Sequence, residues 1–161
     1  MRKIIRMNVI SVLIVLFLFI LINITSCDSK PFQYTFRQDR SCIEKVEICP
    51  FEYSGKKIKE PLASFIGDDI DRILEDISSL ECRQLSGLDS PRYIGDLIIC
   101  IYYLDGEKEV IGTVNCGWVT PDGDWHIKSW YFKSEDLNVV FKKYVDADAL
   151  AKIHWNSYQN G

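Results

Sequence analysis

Apolar residues recur at Ile66, Ile70, Ile73, Leu74, Ile77 and Leu80. Spacings of three and four draw one stripe down a helix, which the sequence therefore predicts over this stretch. Asp68, Asp69 and Asp71 fall in its first turn, where carboxylates suit the exposed N–H groups and the positive end of the dipole. A second stripe, Leu137, Val140, Phe141 and Tyr144, follows Ser134-Glu135-Asp136, a hydroxyl and two acids that read as a helix start.

Period-two patterns lie between and before the helices. Ser41 to Phe51 reads as a strand that Pro50 ends, with imperfect alternation between Ile43 and Val46 hinting at a bulge. Phe32, Tyr34 and Phe36 alternate, so a short strand is expected to begin there, and Tyr53 to Lys59 reads as a turn and a short polar strand. Leu97 to Leu104 is apolar on both faces, as a central strand is. Asp105-Gly106 marks a tight hairpin, Val110 to Val119 its partner strand, Pro121-Asp122-Gly123-Asp124 a second turn, and Trp125 to Phe132 a third strand. The order strand, helix, three-stranded meander, helix implies an α+β fold: an antiparallel sheet of about four strands with helices packed on one face. Domain boundaries follow at 41–146, with 147–161 as a C-terminal tail.

The first 26 residues have another character. Arg2, Lys3 and Arg6 precede an apolar run from Val9 to Ile22, broken only by Ser11. Fourteen helical residues span ~21 Å, short of a ~30 Å hydrocarbon core. A basic tip, a short apolar run and a small-residue site describe an export signal. The site, Ile24-Thr25-Ser26-Cys27, resembles the bacterial lipobox, although Ser26 stands where Gly or Ala is commoner. The resemblance implies cleavage between Ser26 and Cys27, lipid on the Cys27 sulfur, residues 27–40 as lipidated cysteine and tether, and a domain held at the extracytoplasmic face of a cell membrane. The competing reading is an uncleaved signal anchor over Ile4 to Ile24, which places the domain on the same side.

Three motifs in the remainder, Ile43-Glu44-Lys45-Val46, the hairpin from Ile101 to Gly106, and the aromatic strand running from Trp130 to Leu137, resemble a loosely defined group of small, uncharacterised bacterial lipoproteins. The likeness spans most of 41–145 and implies a shared fold; it carries no activity.

Composition narrows the functions. The net charge is −4, and Arg2, Lys3 and Arg6 all precede Cys27, so residues 27–161 carry −7. An acidic domain repels a phosphate backbone, and no nucleic-acid partner is expected. The two histidines, His126 and His154, lie far apart and no Cys-x-x-Cys occurs, so neither a metal nor a cofactor is expected. Cys116, Asp124 and His126 could form a nucleophilic set, but a strand histidine beside Trp125 is more often packing or surface, and no catalytic residue is assigned. If Cys27 is lipidated, five cysteines remain and their pairing is open. A two-residue Asp-Gly turn sets Cys100 opposite Ile111, which argues against a Cys100–Cys116 bond. Trp130 and Phe132 share one strand face and Trp125 the other. With helices on one side only, Trp130 and Phe132 are the candidate binding surface. The expected function is a membrane-anchored envelope lipoprotein acting as a non-catalytic binding module for an envelope protein or ligand. An envelope enzyme with a cysteine or carboxylate site, and a purely structural lipoprotein, are the alternatives.

Overall fold

A computed structural model describes residues 31–52, 57–84, 97–112, 116–128 and 130–153. The export signal, Ser26, Cys27, His154 and most of the 147–161 tail lie outside the described residues.

The expected four-stranded α+β sheet is not what forms. The described chain is mostly β, with strands β1 (Phe32–Gln33), β2 (Ile43–Glu52), β3 (Lys57–Ile58), β4 (Ala63–Phe65), β5 (Glu81–Gln84), β6 (Leu97–Tyr103), β7 (Lys108–Ile111), β8 (Cys116–Val119), β9 (Trp125–Lys128) and β10 (Trp130–Phe132). Three short helices accompany them among the described residues: α1 (Asp68–Ser78), α2 (Ser134–Tyr144) and α3 (Ala147–Ala151). The strands make two sheets. One has three strands in the order β1-β5-β10; the other has seven, β3-β2-β6-β7-β8-β9, with β4 also pairing β2. All pairs are antiparallel.

Two splits, together with the short strands β4 and β5 that the pattern does not show, account for most of the difference. The expected strand from Val110 to Val119 is a pair, β7 and β8, lying antiparallel to each other. The expected strand from Trp125 to Phe132 leaves the large sheet after Lys128 and joins the small one at Trp130. One alternating stretch thus serves two sheets, a common way to turn a corner.

The large sheet curls into a half-barrel. Phe51 on β2 and Trp125 on β9 are four strands apart by way of β6, β7 and β8, a path of ~19 Å in a flat sheet. Their ring centroids are 5.7 Å apart. The curl closes around Cys49, Ile98, Cys100, Val110 and Val119, with Phe51, Ile58, Tyr102 and Trp125 packed against them. Gly117 lets β8 and β9 approach in this curl, since a Cβ there would sit 2.5 Å from the His126 carbonyl oxygen. A backbone oxygen cannot swing away as a side chain can.

The opposite, outer face carries the larger core. Val46, Ile48, Ile99, Ile101, Tyr103 and Ile111 pack with Ile70, Ile73, Leu74 and Ile77 of α1, Phe132 of β10, and Leu137, Val140 and Phe141 of α2. The expected helix stripe therefore buries from Ile70 to Ile77, while Leu80, just past the helix, is half-buried and Ile66, which precedes it, is 69% exposed. The bulge read in the sequence is real. The register shifts between Ile43 and Lys45, so Ile43 and Val46 both reach the outer core despite their odd spacing. Pro50, expected to end the strand, lies inside β2 opposite Leu97, and its carbonyl accepts from Lys59 N–H.

Two local features also differ. The hairpin after β6 has a three-residue loop, Leu104-Asp105-Gly106, with Gly106 at φ 85°. The extra residue moves Cys100 opposite Val110, with Ile99 opposite Ile111. Cys100 then lies inside the curl while Cys116 belongs to the outer core, so the two remain apart. The tail begins with a helix: Asp146 accepts from Asp148 N–H and Ala149 N–H and starts α3.

Candidate functional site

The chemistry-bearing side chains gather on the outer face of β7, β8 and β9, where Pro31 to Gln38 crosses them. Alternation puts Glu109, Trp118, His126 and Lys128 on this face, with Trp118 opposite His126 and Cys116 opposite Lys128. At the centre is Glu109, a carboxylate with 0% exposure. Its Oε1 accepts from the Tyr34 hydroxyl at 2.5 Å and from Lys128 Nζ at 3.4 Å. Its Oε2 accepts from the Tyr103 hydroxyl at 2.6 Å and from the Arg37 backbone N–H at 2.9 Å. Both oxygens are therefore satisfied, which is what makes burial of the group tolerable.

The crossing segment is tied down further at its polar end. Arg37 grips Glu107 with two nitrogens, at 2.6 and 2.9 Å, and Gln38 donates to Asp105 at 2.7 Å. The Arg37 bond holds the Glu107 carboxyl below the usual range. The same guanidinium lies 4.3 Å from the Trp118 ring centroid. Trp118 in turn stacks on His126, with centroids 4.8 Å apart and planes within 11°. Arg37, Trp118 and His126 form a ladder whose last rung, His126, is exposed to solvent.

Lys128 occupies a cage of rings. Its Nζ is 4.5 Å from the Trp130 centroid, 5.7 Å from Tyr34 and 5.8 Å from Trp118, an arrangement in which ring quadrupoles attract the ammonium. Trp130 also makes edge contacts with Phe32 at 5.4 Å and Tyr34 at 6.1 Å. The two residues read from the sequence as a binding surface thus have other surroundings. Phe132 has 0% exposure and is core, and Trp130 is half-buried over Lys128. The ladder was missed because its members lie on three separate segments. Glu109 did carry a signal, a charged residue in the same alternation class as the buried Ile111.

The nucleophilic set imagined from sequence does not assemble. Cys116 is fully buried, and burial followed by a bond with Cys82 pushes its thiol well above the usual range, the reverse of activation. His126 is stacked on Trp118 instead. Among the described residues, no group of His, Cys, Asp and Glu could hold a metal ion.

The tyrosines make the site sensitive to alkali. Burial, then the neighbouring Cys116 and Glu109, push the Tyr34 phenol far above its usual value, and burial followed by Glu109 does the same to Tyr103. For an acid whose folded pKa is raised, stability is full below the unfolded value of ~10 and is lost as pH rises past it. We expect cooperative unfolding above about pH 10, with these two phenols ionising only as the fold is lost. Tyrosinate absorbance followed alongside circular dichroism checks this. Smooth ionisation of every tyrosine in a folded domain would contradict it.

The chain matches no family model, no curated protein and no solved structure.

Proposed function

We propose that the protein is a membrane-anchored envelope lipoprotein whose domain is a non-catalytic binding module, touching its partner through the exposed His126 end of the Arg37–Trp118–His126 ladder. The address rests on the basic tip, the apolar run and Ile24-Thr25-Ser26-Cys27. The binding reading is carried by the ladder, a cation and an imidazole each packed on one half-buried indole, with Arg37 and His126 both exposed to solvent. Stacked, pre-ordered rings lose little freedom on contact, so they make effective anchors. The reactive groups around them are internally committed: Glu109 has four donors, Lys128 has its rings, and Cys116 is buried.

The test uses full-length protein in its cells, carrying a photo-crosslinking residue at position 124, exposed and two residues before His126, or, as control, at Val139, an exposed position on α2. A discrete adduct at 124, absent at 139 and lost on His126→Ala, is expected. Equal patterns at both positions would remove the binding face. Cys27→Ser should move the protein out of the membrane fraction and end fatty-acid labelling; unchanged labelling would remove the anchor.

A further inference from the structure

Among the described cysteines, two pairs are in side-chain contact, Cys82 with Cys116 and Cys49 with Cys100. The pairs differ in geometry. Cys49 and Cys100 are on adjacent strands of one sheet, but Cys49 faces Ile98 and Cys100 faces Glu47, so they are diagonal neighbours. Diagonal Cα atoms in a sheet are ~7–8 Å apart, beyond the ~4.4–6.8 Å that a disulfide spans. Cys82 and Cys116, both free thiols here, lie on different sheets, so the diagonal spacing within one sheet does not apply to them. Cys82 is on β5 of the small sheet, opposite Phe132, and Cys116 is on β8 of the half-barrel, opposite Lys128. They meet near the corner where the chain passes from β9 to β10, and each has 0% exposure in the same core cluster.

We propose that Cys82 and Cys116 are a disulfide-forming pair, and that the bond ties the three-stranded sheet to the half-barrel. The oxidant is a disulfide, either a small-molecule one such as oxidised glutathione or that of a thiol oxidoreductase. The Cys82 thiolate attacks one sulfur of it, the donor S–S bond breaks, and the first donor thiolate leaves. Cys116 then gives its proton to solvent and attacks the Cys82 sulfur, expelling the second donor thiolate. Two protein thiols are oxidised to one S–S bond, and one donor disulfide is reduced to two thiols. Because both sulfurs are buried, exchange belongs to folding or to transient opening, and the finished bond is shielded from reductants. This chemistry does not depend on the lipid anchor; export supplies only a compartment where such oxidants occur.

The test takes full-length protein in detergent, unfolds it in denaturant, and refolds it in a buffer of reduced and oxidised glutathione. Remaining thiols are alkylated under denaturing conditions, and peptides are mapped by mass. The expected product has lost about 2 Da and contains a Cys82–Cys116 linked peptide. It melts about 5–15 °C above the fully reduced protein. Cys116→Ala should remove both the link and the difference in melting. Recovery of Cys82 and Cys116 as alkylated thiols from the wild-type chain would overturn the assignment, as would linkage of Cys49 to Cys100 in their place. A linked form that melts below the reduced one would overturn the stabilising role. Fatty-acid labelling of Cys27 is read separately, so loss of either conclusion leaves the other standing.

Discussion

Replacing Glu109 with alanine is expected to destabilise the domain by about 3–5 kcal/mol, among the largest effects of any single change. The cost arises from what stays behind. Tyr34 and Tyr103 hydroxyls, the Arg37 N–H and the Lys128 ammonium all point at the vacated position. Each loses its acceptor in a place water does not readily reach, and a buried donor without a partner costs roughly 1–3 kcal/mol. Lys128 can recover part of its share by turning outward, which keeps the total below the sum of the parts. Urea denaturation measures the loss. Limited proteolysis should show a second consequence: the Pro31–Gln38 segment, now held only by β1 pairing and the Arg37 and Gln38 contacts, becomes the first site of cleavage. A loss under about 1 kcal/mol, with that segment still protected, would mean the carboxylate does not hold it.

The second large effect is expected at Phe132. It is fully buried and packs against Tyr34, with ring centroids 5.2 Å apart. Phe132→Ala should cost about 3–5 kcal/mol by denaturant unfolding, from lost burial plus the cavity left behind. Trp130→Ala, two residues earlier, is expected to cost less, because Trp130 is half-buried and its main debt is to Lys128 and Phe32. Equal costs at the two positions would show that Trp130 is as deeply embedded as Phe132.

The local signals in the sequence were accurate where a segment was long and its neighbours simple. The stripe of α1, the two-faced burial of β6 and the bulge after Ile43 follow from spacing alone. The overall class did not follow, because one turn signal is easily passed over and one strand depends on partners distant in the chain. Gly112 and Asn115 are turn-type residues within Val110 to Val119, a fold-back signal that the single-strand reading passes over, and nothing around Ser129 says that the strand changes sheet. β4 and β5 have three and four residues, too few for a period to register. Reading the meander as three strands then put Trp130 and Phe132 on an open face, when β10 belongs to a different sheet. The centre of the site was beyond local reasoning for the same cause: Tyr34 and Glu109 are 75 positions apart, and their bond exists only because the half-barrel curls beneath the crossing segment.

The way Pro31 to Gln38 is fastened also decides how the domain answers a pull. Tension applied ahead of Pro31 enters through β1, whose Phe32 and Gln33 are paired with Cys82 and Glu81. Two residue pairs yield to a small force. The load then meets the Tyr34–Glu109 bond and, three residues later, the Arg37 bonds to Glu109 and Glu107. The segment is thus a short slack length followed by a hard stop. Stretching leaves the curled sheet and the Trp118–His126 stack undisturbed until that stop gives way.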